Sequence, residues 1–405
     1  MFDKSQFPTL ANNSELAYFD SAASTQTHIS VLKAMNEYYE TERCNVHRGD
    51  YKISRNVSDK IDIARQQVAE LINTDPDKII FTTGATDGLN MVAQWCRDVP
   101  VVFITEAEHS ANILPWLAQG RTVDNGRLKV LPIQENGFIN LDNARMLFSQ
   151  YPDSILSMLS TSNVTGLETP WPQLAEIAHH YGIRVCIDAC QTVGTHQFNV
   201  KKHPVEWAVF SGHKMFGPTG IGALYCNFDL NKVRPLKYGG GTVKHYDFEG
   251  NIVFAEGPEK HEPGTPNIAG IIGMGVAAEW INYVGYDEIS KKITEISGWL
   301  IKEGLYKVPV IDHELKQYKL DFNMIEINNT ANISAFDTGS IHPSDIGTLL
   351  GNNDVAVRAG KLCAHPYVRK YSPNGLLRIS WNVYNTQEDC KKLVEELWKA
   401  IRKLS

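Results

Sequence analysis

The stretch FSGHKMFGPTGIGALY, residues 210 to 225, sets His213 and Lys214 at the end of an apolar run and follows them with Gly217-Pro-Thr-Gly-Ile-Gly222. Such a Gly- and Pro-rich segment cannot continue a helix, and lysine is costly to bury. A solvated lysine on a surface turn is the plain reading. The alternative is a lysine held at the end of a buried strand because its amine forms a Schiff base. Other chemistry-bearing residues follow other apolar runs. Gly84-Ala85-Thr86-Asp87-Gly88 comes after KIIFTT. Its free N–H groups, helix dipole and Thr86 hydroxyl could cup a phosphate, although Thr or Asp at a helix start is commonly only an N-cap. Glu108-His109-Ser110-Ala111-Asn112 comes after VVFIT, where a lone histidine is usually a satisfied loop residue. Ser162-Asn163-Val164-Thr165-Gly166 comes after SILSML and could be an Asx-turn. Asp188, with Gln191 three residues on, ends RVCID. A carboxylate there needs a charged or donating partner.

Taken together, these residues supply a phosphate cup, a carboxylate for a protonated ring nitrogen, an imidazole that can stack, polar amides and a reactive amine. Pyridoxal 5'-phosphate (PLP) needs this set. The lysine carries it, and the aspartate keeps its pyridinium protonated so that the ring acts as an electron sink.

The elements that must position these groups are legible as strand-length apolar runs alternating with helical periods. KIIFTT (78–83), VVFIT (101–105), SILSML (154–159), RVCIDA (184–189), WAVFSG (207–212) and GALYC (222–226) read as buried strands, with helix-like pieces such as 85–97 and 171–182 between them. That alternation predicts an α/β domain with a mostly parallel mixed sheet and helices on both faces. Ligands of such sheets bind at the carboxyl ends of the strands, where the residues above lie. Near residue 267 the pattern gives way to a long helix, IAGIIGMGVAAEWINYV, then a helix-rich, strand-poor segment and a final helix, EDCKKLVEELWKAIRKL. The expected organisation is a large domain over 23–285 and a smaller α+β domain built from 1–22 together with 286–405.

Composition agrees with an ordinary globular protein: 43% hydrophobic and 21% charged residues in a 405-residue chain. The net charge of −7 offers no basic stripe for nucleic acid. Neither a signal peptide nor a membrane-spanning run is evident. The seven cysteines form no regular framework, which predicts a reducing, cytoplasmic setting.

Asp188-Ala-Cys-Gln191, Ser211-Gly-His-Lys214, Gly217-Pro-Thr-Gly-Ile-Gly222 and Gly264-Thr-Pro-Asn267 resemble the class V aminotransferase-like enzymes of PLP fold type I. The nearer resemblance is to the group II cysteine desulfurases and selenocysteine lyases. It runs from Tyr18-Phe-Asp-Ser-Ala-Ala23 through Asn45-Val-His-Arg-Gly49 and Phe81-Thr-Thr-Gly-Ala-Thr-Asp-Gly88 to Arg378-Ile-Ser380. The resemblance implies that Lys214 holds PLP, Asp188 faces the ring nitrogen, Gln191 bonds the phenolic oxygen and His109 stacks on the ring. Ala85 (through its N–H), Thr86, Ser211 and His213 would hold the phosphate. Thr265 would reach the phosphate of a neighbouring subunit, implying a homodimer. Asn163 and Arg378 would bind the substrate carboxylate, a task suited to the planar fork of arginine.

The segment VAVRAGKLCAHPY, residues 355 to 367, holds one cysteine, Cys363, between Gly360 and Pro366, as expected of a loop that can move. Free cysteine is commonly a small packed hydrophobe. Here the surroundings are polar, and Lys361, two residues away, could lower the thiol pKa. In the resembling enzymes this cysteine is the nucleophile that takes sulfur from L-cysteine as a persulfide, leaving L-alanine. The persulfide passes to an acceptor protein, for iron–sulfur cluster assembly or another use. The fifteen residues from Cys363 to Arg378 resemble the short-loop group II pattern. Departures are Lys361-Leu362, His365, His261-Glu-Pro-Gly264 and Cys190. A selenocysteine lyase or other C–S lyase, a class V aminotransferase proper and a catalytically silent sulfur-transfer scaffold remain alternatives. Cys44-x-x-His47 and Cys363-x-His365 are isolated pairs that do not make a zinc motif.

Overall fold

The computed structural model describes residues 2–46, 49–134, 139–305, 311–312, 317–318 and 332–405. His47 and Arg48 of the Asn45–Gly49 motif lie outside them. Seven strands form one sheet: β1 (Ile79–Thr82), β2 (Val102–Thr105), β3 (Leu128–Leu131), β4 (Ile155–Leu159), β5 (Arg184–Asp188), β6 (Trp207–Ser211) and β7 (Gly222–Cys226). Their order across the sheet is β1-β7-β6-β5-β4-β2-β3. Only β7 runs against its neighbours, β1 and β6; the other six share one direction.

Alternate residues along each strand enter two separate cores. Phe81, Phe103, Leu156, Ile187, Phe210 and Tyr225 face one. Ile80, Ile104, Ile155, Cys186, Val209 and Leu224 face the other. Helix Ala85–Trp95 covers the second core with Leu89 and Val92. Helices Lys52–Leu71, Leu141–Gln150, Trp171–His180 and Ile268–Val284 cover the first with Val68, Phe148, Leu174 and Ile272. Burial on both faces is why these strands read as unbroken apolar runs. The exception is β3, an edge strand whose Leu128-Lys-Val-Leu131 carries a half-buried Lys129 and gives no such run.

Helix Ile268–Val284 is capped by the Asn267 side chain, which accepts from the Gly270 N–H, and it meets Tyr286–Glu303 at Gly285 with a bend of 81°. Among the described residues no single helix is long and apolar enough to cross a membrane. The later chain is richer in strands than its sequence suggests. β8 (Ile333–Phe336), β9 (Arg358–Gly360) and β10 (Leu376–Ser380) form an antiparallel sheet with β10 in the centre. These strands are only three to five residues long, too short for a clear period of two. The start of the chain joins this region: Ala17–Tyr18 pairs in parallel with Val355–Ala356, and Asp20 bridges to Ser380. Helix Gln387–Leu404 opens on a capping box between Thr386 and Asp389.

Candidate active site

A cavity of about 390 Å³ opens where the co-directional strands end. Ala85 and Thr86 reach it from the end of β1, His109 from β2, Asn163 from β4, Asp188 from β5, and Ser211, His213 and Lys214 from β6. Across from them lie Ala22 and Ala23, together with Arg358, Cys363 and Arg378. The structure therefore brings together nearly all the residues singled out from sequence.

The cup begins at Gly84, whose φ of 155° is one that L side chains rarely adopt. The turn lies so close to the sheet that a Cβ on Gly222 would come within 2.6 Å of the Gly84 Cα. The Ala85 N–H donates to Ser211 Oγ at 2.9 Å, joining the ends of β1 and β6. Asp87 turns aside: it accepts from the Thr83 N–H and pairs with Lys237 at 2.6 Å, which keeps its charge off the cup.

Lys214 ends the short 3-10 turn Gly212–Lys214. The His213 carbonyl accepts from the Thr25 N–H at 2.9 Å, from Thr25 Oγ1 at 3.1 Å and from Ser24 Oγ at 3.2 Å, so the N-terminal segment clamps the turn. Burial, then the Lys214 charge, lowers the His213 pKa to about 4, so its ring is neutral at physiological pH. The same two causes, in that order, lower His109. His109 caps helix Ser110–Ala118 by accepting the Ala111 N–H at Nδ1, 3.1 Å. The neutral ring thus carries its proton on Nε2.

Beside it Glu108 is fully buried. It accepts from Thr105 Oγ1 at 2.6 Å, Asn112 Nδ2 at 2.7 Å and the Leu159 N–H at 3.1 Å, tying β2, the following helix and β4. Burial raises its pKa to about 7, with the three hydrogen bonds opposing. The folded state therefore binds this proton more tightly than the unfolded chain. Stability falls as pH rises from the ordinary carboxyl range through about 7. Glu108→Gln is expected to remove that slope and raise stability by a few kcal/mol at pH 8. Flipping the Asn112 amide satisfies the new carboxamide, provided the Ser157 hydroxyl, which donates to Asn112 Oδ1 at 2.5 Å, turns to accept instead. Urea unfolding of both proteins at pH 5 and pH 8 checks this; equal slopes would contradict it.

Asp188 is nearly buried, and its Oδ1 accepts from the Cys190 N–H at 3.0 Å. Gln191 does not line the cavity; its Nε2 donates to the Ala22 carbonyl at 2.8 Å, and Ala22 does line it. Arg378 is buried between Asp20 (3.1 Å) and the Asn163 carbonyl (2.8 Å). Asp20 also takes Arg358 at 2.6 Å, so one carboxylate holds two guanidinium groups. Asn163 Nδ2 donates to the Leu362 carbonyl at 2.8 Å. Among the described residues Asn163 Oδ1 and Arg378 Nε are buried without a partner, one acceptor and one donor available to a ligand.

Cys363 is exposed on a loop anchored by the buried Leu362. Both residues have left-handed backbones, φ 52° and 53°, a conformation that is uncommon outside glycine. It is held by hydrogen bonds from the Ser110 N–H (2.7 Å) and Ser110 Oγ (2.8 Å) to the Cys363 carbonyl, besides the Asn163 bond to Leu362. The expectation for Lys361 needs correction. Its ammonium donates to the Pro373 carbonyl and does not line the cavity. Residues two apart share a side only in an extended chain, and the left-handed turn at Leu362 and Cys363 breaks that alternation between Lys361 and Cys363. The cations that share the cavity with Cys363 are Lys214, Arg358 and Arg378. In the sequence, Arg358 of Val355-Ala-Val-Arg358 and Asp20 of Tyr18-Phe-Asp20 carry no local signal that separates them from solvated charges. A paired-charge search between the two chain ends could have linked them.

Thr265 lies apart, lining a second cleft of about 200 Å³ with Asp87, Lys237 and Glu262. Among the described residues no group of three or more His, Cys, Asp or Glu is placed to hold a metal ion.

The cavity fits PLP. Its volume suits a small cofactor with substrate. A helix N-terminus supplies the anion cup, a lysine and a buried aspartate stand at neighbouring strand ends, and two buried polar atoms await partners. Fold and site are those of a PLP-dependent enzyme of fold type I.

Comparison with known proteins narrows this class. The aminotransferase class-V family profile matches residues 17–393. A cysteine desulfurase of Cronobacter sakazakii is 32% identical, with 99% of this chain and 98% of the relative aligned. A probable cysteine desulfurase of Halalkalibacterium halodurans is 34% identical over 98% and 96%. Among solved structures, the apo cysteine desulfurase of Thermococcus onnurineus superposes with a TM-score of 0.86 at 29% identity, covering 99% of this chain and 98% of that one. An Escherichia coli cysteine desulfurase in S-sulfonic acid form gives 0.85 at 30%, with 99% and 98% covered. The chain belongs to the class V aminotransferase family, in its cysteine desulfurase group, and these families depend on PLP.

Proposed function

We propose that the protein is a PLP-dependent cysteine desulfurase. It converts L-cysteine to L-alanine and takes the sulfur as a persulfide on Cys363 for delivery to an acceptor protein. The observation that carries this reading is that Cys363 lines the same cavity as Lys214, Asp188 and Arg378.

Lys214 would hold PLP, with Ala85, Thr86, Ser211 and His213 on its phosphate, Asp188 at its ring nitrogen, Gln191 at its phenolic oxygen and His109 stacked on its face. Bound there, PLP supplies an electron sink beside the substrate Cα. Arg378 receives the substrate carboxylate, since its Nε is not spent on Asp20 or Asn163. Asn163 fixes that guanidinium through its carbonyl and keeps Oδ1 for a donor on the ligand. The Lys214 amine takes the Cα proton. His109, neutral with its proton on Nε2, is a hydrogen-bond donor at the reacting centre. The Cys363 thiolate attacks the substrate sulfur; the S–S bond forms as the C–S bond breaks. The electron pair returns to the carbon skeleton, and protonation completes alanine.

The reading extends to a homodimer, in which Thr265 reaches a neighbouring copy; its distance from its own chain's cavity supports this. The chain divides at residues 22/23 and 285/286, the second at the bend on Gly285. The setting is cytoplasmic, with iron–sulfur cluster assembly one use of the sulfur. Neither nucleic acid nor a membrane takes part.

Incubating the yellow protein with L-cysteine and excess reductant should release alanine and sulfide in equal amounts. Parallel runs use L-selenocysteine. Turnover of selenocysteine alone would replace the desulfurase with a lyase, and no turnover of either would overturn the reading. Sedimentation should report a mass of two chains; a single-chain mass would remove the role of Thr265.

A further inference from the structure

The wall of the cavity that carries Cys363 also carries two arginines that share one carboxylate. Arg358 and Arg378 stand directly opposite each other across β9 and β10, where like charges repel. Asp20 lies behind them, 8% exposed and outside the cavity lining. Its Oδ2 accepts from Arg358 Nη2 at 2.6 Å. Its Oδ1 accepts from Arg378 Nη2 at 3.1 Å and from Arg358 Nε at 3.4 Å. Arg358 Nη1 and Arg378 Nε are left clear of Asp20. Arg378 is deeply buried, whereas about half of the Arg358 side chain is exposed.

One carboxylate against two guanidinium groups leaves one positive charge unmatched. On the facing wall Lys214 and Asp188 carry one charge of each sign, and His109 and His213 are neutral. The surplus therefore matches an amino acid with a single carboxylate. L-Cysteine is one, because its thiol is mostly protonated at neutral pH. A second anionic group on the substrate would have to compete with Asp20 for Arg358. The backbone holds Asp20 in place without its side chain: the residue bridges to Ser380, its carbonyl accepts from the Ala23 N–H at 3.0 Å, and the Ser21 N–H donates to the Ser380 carbonyl at 3.2 Å.

We propose that Asp20 sets the substrate specificity of the cavity through the two arginines. By holding both, it limits the surplus to one positive charge, which admits amino acids with one carboxylate and disfavours those with a second anion on the side chain. The inference rests on the role proposed above for Arg378.

The test titrates the visible absorption band of the holoenzyme with L-alanine and with L-aspartate, which differ by a side-chain carboxylate. The proteins are wild type, Asp20→Asn, Arg358→Gln, the double variant of these two, and Arg378→Gln. Asp20→Asn frees Arg358, so the ratio of the two Kd values should shift toward aspartate by about fivefold, the yield of one partly exposed ion pair. The double variant should return to within about twofold of wild type, because the gain passes through Arg358. A carboxylate that only steadied the fold would weaken both ligands alike and leave the ratio unmoved. Arg358→Gln keeps the native Asp20–Arg378 pair but cancels the surplus charge, so its affinity for L-alanine should fall about fivefold. That variant tests the charge count even where Asp20→Asn fails to fold. A wild-type ratio in Asp20→Asn, the same gain in the double variant, or an unchanged alanine affinity in Arg358→Gln overturns the inference alone. An Arg378→Gln protein that binds L-alanine as wild type does overturns the role of Arg378 and this inference with it.

Discussion

Lys214→Ala is expected to fold normally and to lose alanine formation from L-cysteine by at least about 10³-fold, even with saturating PLP. The turn that carries Lys214 is held by backbone groups. Ser24 and Thr25 donate to the His213 carbonyl, and the Met215 N–H donates to the Gly212 carbonyl at 3.0 Å. None of these bonds uses the lysine side chain, so its removal deletes an amine and little else. On the proposed reading, that amine both secures PLP and moves the Cα proton. Its loss removes the as-isolated visible band and the proton transfer together. A second, independent shift should accompany it: the charge of Lys214 helps to lower His213 and His109, so both imidazoles should titrate at higher pH in the variant. Rate measurements and histidine NMR titration check the two effects. A variant within tenfold of wild-type turnover would contradict the assignment.

Cys363→Ala is expected to keep the visible band and its pH response but to lose at least about 10²-fold of its turnover of L-cysteine. The backbone bonds that hold the loop, from Ser110 to the Cys363 carbonyl and from Asn163 to the Leu362 carbonyl, survive the substitution. The left-handed backbone at 363 is as accessible to alanine as to cysteine. Only the thiol is missing, so an effect on turnover without an effect on PLP binding isolates sulfur acceptance. Unchanged turnover would make the cavity that of a lyase or a transaminase.

What could be read in the sequence follows from which groups are buried on both faces of the sheet. The six apolar runs from β1 to β7 stand out because neither face meets water, and the residues just beyond them were findable as strand-end residues. β3 escapes because an edge strand tolerates Lys129. β8, β9 and β10 escape because three to five residues hold too little period to separate strand from loop. The Cys363 neighbourhood shows a different limit. Lys361 is near in sequence but turns to Pro373, while Arg358, farther along the chain, shares the cavity because β9 pairs with β10 opposite Arg378. Asp20 holds both arginines from the other end of the chain, a contact that no local window reveals. Conversely, Thr265 and Gln191 carry roles suggested by motif, yet neither lines the cavity of its own chain.

The role of Cys363 as sulfur carrier is tested by the intact and peptide mass of the holoenzyme after brief incubation with L-cysteine without reductant. The peptide carrying Cys363 should gain the mass of one sulfur atom, in step with one alanine released per chain. Alanine formed without added sulfur on that peptide, or sulfur found on another cysteine, would contradict Cys363 as the sulfur carrier.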